Sequence, residues 1–120
     1  MAAEISVTSL LGCVNGNVNE VDSDVVFTVD QAVQSGSSPG FVTVGTVEES
    51  ETFGEITTLG WCKIKNLDAT NYVDFGVTTT VYMIRAEAGE TATFRFVPGV
   101  TLYMKANVAA CMVEIRCYND

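Results

Sequence analysis

The chain has 120 residues, of which 48% are hydrophobic and 18% charged, with 2 prolines and no histidine. That length fits one domain with its own core, and so apolar a composition excludes a disordered chain. Fifteen acids against six bases leave a net charge of −9, which repels phosphate backbones and excludes nucleic acid as a partner. The missing histidine removes the commonest general base and the commonest zinc ligand.

Period-2 alternation of apolar and polar residues dominates the chain and predicts half-buried strands. The first run is Ile5–Leu11, within residues 1–24, which are expected to form an extended N-terminal strand or arm. Met1 to Cys13 carries no basic n-region, so no secretory signal is expected. No apolar run approaches the ~20 residues that cross a bilayer, so no membrane contact is expected. Asn15-Gly16-Asn17 is a turn, and the acids Glu20, Asp22 and Asp24 are expected in a loop. Val25, Phe27 and Val29 share one face of a second run, with Phe27 in the core. A short, poor helix pattern lies around Asp30–Gln34, followed by the small-residue loop Ser35–Gly40.

Further runs are Phe41–Val47, Trp61–Leu67, Tyr72–Val77 and Val81–Ala86. Three more alternate clearly: Ala92, Phe94 and Phe96; Leu102, Met104 and Ala106; and Cys111, Val113, Ile115 and Cys117. The connection Asn66–Asn71 is rich in side chains that bond their own backbone. Gly89 and Pro98-Gly99 mark tight turns. Many short strands, with gaps too short for crossover helices, predict an all-β chain. The expected architecture is a single antiparallel β-sandwich, jelly-roll-like, of 8–9 strands, with residues 1–120 as one domain.

A search for chemistry finds little. Cys13, Cys62, Cys111 and Cys117 form no Cys-x-x-Cys pair, and three of them alternate with core residues, so they are expected as reduced thiols. The serines lie in no nucleophile elbow. The clusters Glu20-Val-Asp22-Ser-Asp24 and Glu48-Glu49-Ser-Glu51 lack calcium-loop spacing. No pair of carboxylates is forced across a cleft as a glycosidase requires. No enzymatic activity, metal or cofactor is expected. Charge is lopsided: residues 1–60 hold nine acids and no base, whereas residues 61–120 hold six of each. Lys63, Lys65 and Lys105 form a small basic patch or, with Glu87, Glu90 and Glu114, a salt-bridged surface.

Mean hydropathy is +0.26, high for a small monomer, and the surplus apolar surface is best covered by sister chains. Phe41, Phe53, Trp61 and Tyr82 are the expected subunit or partner contacts. Trp61 falls in register with Lys63 and Lys65, opposite Cys62 and Ile64, where it can stack on a sugar or anchor an interface.

The stretch from Trp61 through Lys63-Ile-Lys-Asn-Leu-Asp-Ala-Thr-Asn-Tyr-Val-Asp-Phe-Gly76, and its continuation from Ile84 to Asn107 through Ala88-Gly-Glu90, Phe94-Arg95 and Pro98-Gly99, resemble small virion structural proteins of tailed bacteriophages. The resemblance covers residues 45–118. It implies a jelly-roll-like sandwich acting as a capsid decoration (cement) protein, a homotrimer that binds the major capsid protein on the outer head surface and is assembled in the host cytoplasm. It brings no catalytic residues with it. The alternatives are a tail or head-fibre component, or a glycan-binding sandwich in which Trp61 with Tyr72 or Tyr103 makes a flat platform.

Overall fold

The structure is a computed structural model that describes residues 5–29, 40–51 and 56–120. It is all-β and antiparallel, with ten strands and no helix among the described residues. The chain divides into two compact units, residues 1–32 and 33–120.

The first unit is a hairpin of β1 (Ile5–Asn15) and β2 (Val18–Val29). Asn15 pairs with Val18, leaving Gly16-Asn17 as a two-residue turn. Gly16 has φ +56, the positive value that such hairpin turns demand at their first central position. A register shift between Val7 and Ser9 divides the hairpin. On the proximal side Ile5 and Val7 are buried; on the distal side Leu10 (68% exposed), Leu11 (77%), Val14 (75%) and Val21 (66%) are open. Phe27, expected in the core, is 41% exposed. Its strand has only one hydrogen-bonded neighbour, so alternation there does not guarantee a second layer to bury it. The acids Glu20, Asp22 and Asp24, expected in a loop, lie within β2.

The second unit contains β3 (Gly40–Val44), β4 (Glu49–Glu51), β5 (Leu59–Asn66), β6 (Val73–Gly76), β7 (Ile84–Ala86), β8 (Thr91–Arg95), β9 (Leu102–Ala106) and β10 (Cys111–Asn119). They form two four-stranded sheets ordered β3-β10-β5-β8 and β4-β9-β6-β7. Every successive connection changes sheet except the β6–β7 pair. The core lies between the sheets. The first contributes Val44, Cys62, Ile64, Cys111, Val113, Ile115 and Cys117; the second contributes Val73, Phe75, Leu102, Met104 and Ala106. Phe75 of the second sheet stacks on Phe94 of the first, ring centroids 5.7 Å apart, and Phe94 meets Phe96 edge to face at 4.9 Å. The expected inward faces of β5, β8, β9 and β10 are therefore the faces that pack. Cys62 and Cys117 are cross-strand partners with their sulfur atoms 2.6 Å apart, and the structure forms no disulfide among the four cysteines.

Polar bolts close both ends of the sandwich. Asn66, fully buried on β5, donates from Nδ2 to the carbonyls of Asn71 (2.9 Å) and Ala86 (3.0 Å), so one amide ties β5 to β7 of the opposite sheet. Its Oδ1 accepts from the Asp68 N–H at 3.0 Å. Asp68 in turn accepts from the Asn71 and Thr70 N–H groups at 2.7 and 3.0 Å, which holds its carboxyl below its ordinary value. At the other end Asn119 Oδ1 accepts from the Thr57 N–H at 2.9 Å. The cluster Glu49-Ser50-Glu51, which alternation does not mark as a strand, forms the short strand β4. It is an edge strand, and Glu49 and Glu51 pair with the inward-facing Met104 and Leu102. Burial, then the neighbouring Glu49 charge, raises the Glu51 carboxyl. Inward charge on an edge strand discourages further strand addition.

Candidate functional site

Alternation sets which side chains each sheet turns outward. On the first sheet Phe41 (β3), Trp61, Lys63 and Lys65 (β5), and Glu114 and Arg116 (β10) point away from the core residues. Phe41 is 63% exposed and sits beside Glu114; Trp61 is half-buried and opposes Arg95. Two of the four expected contact residues thus share one outer face. Phe53 lies outside the described residues. Tyr82 belongs to the connection between β6 and β7, on the second sheet. The three lysines do not make one patch: Lys63 and Lys65 lie on the first sheet and Lys105 on the second. Nor does a single aromatic platform form, because Trp61 faces out from the first sheet and Tyr103 from the second.

The second sheet carries a concave polar groove that residue spacing did not reveal. Val73 of β6 pairs with Ala106 of β9, and Asp74 pairs with Lys105. Val73 and Ala106 point into the core, so Tyr72 and Asp74, Lys105 and Asn107 point outward. The Asn107 N–H donates to the Tyr72 carbonyl at 3.2 Å, extending the pairing one step beyond the strands. Asp74, Lys105 and Asn107, with Tyr72 and Tyr82 as the aromatic walls, line a cavity of about 260 Å³.

Each wall is fixed by charge. Arg85 of β7, the cross-strand neighbour of Asp74, donates to both carboxylate oxygens at 2.7 and 3.1 Å. The hydrogen bond to Asp74 holds the guanidinium even further above its ordinary pKa. The same guanidinium lies 3.7 Å from the Tyr72 ring centroid, a cation–π contact that orients the ring. Tyr82 is held by Glu48, which accepts from the Tyr82 hydroxyl at 2.5 Å, from the Thr80 N–H at 2.6 Å and from the Thr79 hydroxyl. The Thr79 hydroxyl, then Tyr82, then the Thr80 N–H hold the Glu48 carboxyl below its ordinary value. The hydrogen bond to Glu48 pushes the Tyr82 hydroxyl up to about 12. Thr80 has φ +62, a left-handed conformation that a β-branched residue rarely takes. The connection passes so close to β6 that a Cβ on Gly76 would lie 2.6 Å from the Val81 carbonyl oxygen, so only glycine fits there.

Two groups in the groove have unused capacity. Asn107 Oδ1 is buried out of solvent's reach and has no hydrogen-bond partner, a state that costs about 1–3 kcal/mol. Lys105 makes no ion pair among the described residues, although its charge is felt by Glu48. A second cavity, about 300 Å³ and almost wholly apolar, opens between the edge strands β7 and β8 and is lined by Phe75, Met83, Phe94, Phe96 and Val97. No three His, Cys, Asp or Glu side chains among the described residues converge as metal ligands.

No protein-family model matches the chain, and no curated protein or solved structure matches it. The resemblance to phage virion proteins draws no support from these comparisons.

Proposed function

We propose that this chain is a structural protein of a tailed-phage virion, a decoration protein that acts as a homotrimer on the outer capsid surface and binds the major capsid protein there. Its work is association, with no bond-making step. The observation that carries the reading is the hairpin β1–β2. Beyond the register shift, Leu10, Gly12 and Val14 of β1 share a side with Val21 of β2, and none of the four bears a charge. The opposite side carries Glu20 and Asp22. A two-stranded hairpin is marginal in water by itself, and an apolar face this open asks for a protein to cover it. Two further features fit. Numbered from one to eight, β3–β10 run 1-8-3-6 in one sheet and 2-7-4-5 in the other, an order read here as the two Greek keys of a jelly roll. The outer face carries Phe41, Trp61 and Arg116, residue types enriched at interfaces, with Lys63 and Lys65 beside them.

The test is to mix the purified full-length chain with tailed-phage heads stripped of accessory proteins and to image the particles. Stoichiometric density at threefold positions of the head is the expected result. A chain that stays monomeric at high concentration and adds no density overturns the proposal.

A further inference from the structure

We propose that Cys62 and Cys117 are a site of disulfide formation, a buried pair that closes into one covalent bond across β5 and β10 when the chain meets a disulfide-class oxidant. The inference stands on the second unit alone and does not need the virion reading.

Register places the pair. Cys62 and Cys117 are direct antiparallel partners, two steps along from the pair of Ile64 and Ile115. Both side chains turn into the core and both are buried. Directly opposed residues of an antiparallel pair have Cα atoms about 4.5–5.5 Å apart, inside the span of about 4.4–6.8 Å that a disulfide bridges. Their Cβ atoms are about 4.5–5.5 Å apart, which meets the disulfide range of about 3.5–4.5 Å only at its limit. Not every opposed pair can therefore close. This one sits at the close end: its sulfurs are 2.6 Å apart, well inside the contact distance of two unbonded sulfur atoms. An approach of about 0.5 Å completes a bond of about 2.05 Å. Within the second unit no other pairing competes. Cys111 lies six residues before Cys117 on β10, about 20 Å away along the strand, and its sulfur faces the Ala109 and Tyr72 carbonyls at 3.6 and 3.9 Å.

Burial withholds the bond until an oxidant gains access. The adjacent Cys117 sulfur and then desolvation hold the Cys62 thiol well above its ordinary value, so little of the attacking thiolate is present in the folded chain. The step balances with glutathione disulfide as the oxidant. The Cys62 thiolate attacks one of its sulfurs, which forms a mixed disulfide and expels one glutathione thiolate. Cys117 gives up its proton and attacks the Cys62 sulfur, which forms the protein disulfide and expels the second glutathione. The chain loses two protons and two electrons, and glutathione disulfide takes them up as two thiols. The bond joins the two central strands of the sheet β3-β10-β5-β8 and closes a loop that contains β6, β7, β8 and β9. It therefore constrains most of the sandwich in the unfolded state, which is how a disulfide spanning a long loop stabilises.

The experiment uses the full chain carrying Cys13→Ser, which removes the exposed thiol of the hairpin. The chain is reduced, unfolded in urea and refolded in a buffer of glutathione and glutathione disulfide, so that burial does not block access. It is then quenched in acid, unfolded and alkylated for peptide mapping. One bond between the peptides of Cys62 and Cys117 is expected, with Cys111 alkylated and no glutathione retained. The thermal midpoint should rise by at least about 8 °C and fall back on reduction. Cys62→Ala and Cys117→Ala should each show neither the bond nor the redox-dependent rise. The proposal is overturned if Cys62 and Cys117 are both recovered alkylated, if either retains glutathione, if the bond recruits Cys111, or if the midpoint does not rise when the bond forms.

Discussion

Glu48 holds three donors from one connection, and that makes it the residue through which pH acts on the groove. The Thr79, Tyr82 and Thr80 hydrogen bonds lower its carboxyl from the ordinary 4.5. A depressed carboxyl contributes stability that is present above its unfolded value and lost as pH falls through the folded one. The partner works in the opposite sense. Tyr82 is raised from 10.0 to about 12, so its contribution is complete below the unfolded value and lost as pH rises through about 12. The clasp therefore holds from about pH 5 to pH 10. Ultraviolet titration of tyrosinate checks this. Tyr82 should ionise only near pH 12 in the native chain, and Glu48→Gln should move it down toward 10.0. An unchanged titration curve in the variant would mean that the hydrogen bond does not form in solution.

At the scale of the element, the sandwich is held by alternation and corrected by a few polar bolts. Replacing Phe75, fully buried and stacked on Phe94, by Ala should cost about 3–5 kcal/mol of unfolding free energy, read from urea midpoints at constant slope. Asn66→Asp tests a different mechanism. The amide donates to the Asn71 carbonyl of the β5–β6 connection and to the Ala86 carbonyl of β7; a carboxylate would face both oxygens with no proton to give. The loss should be at least about 3 kcal/mol at neutral pH and should shrink in acid, where the carboxyl regains a donor. An equal loss at both pH values would assign the effect to shape rather than to the missing protons. The same elements explain what the sequence made legible. Cys62 and Ile64, and Cys111, Val113, Ile115 and Cys117, alternate because two layers enclose them, so period and burial coincide. The strand β4 was hidden because its inward positions are Glu49 and Glu51, which reverse the expected polarity at an edge. The groove was hidden for a different reason. Tyr72, Tyr82 and Asn107 meet through the β6–β9 register and a connection folded back over Gly76, and neither is written in local spacing.

At the scale of the molecule, the question is what covers the hairpin. Leu10, Val14 and Val21 lie on one side of it with no charge among them, and all three are open in the single chain. Burying an aliphatic side chain of this size contributes about 1.5–3 kcal/mol, so three yield roughly 4.5–9 kcal/mol per protomer. A micromolar complex needs about 8 kcal/mol, before the cost of lost rotational and translational freedom. Two such faces together supply roughly 9–18 kcal/mol, which covers that total only near its upper end, so losing one or two of the side chains should abolish the assembly rather than weaken it slightly. Light scattering on the full chain should find an oligomer at tens of micromolar. The double variant Leu10→Asp with Val14→Asp should be monomeric at the same concentration, with near-ultraviolet circular dichroism unchanged because Trp61 and the phenylalanine stack belong to the other unit. Acid should partly restore the variant's assembly, since protonated aspartates are less costly to bury. An oligomer that survives both charges would move the association surface away from the hairpin, and the outer face around Phe41 and Lys63 would then be the next place to put a charge.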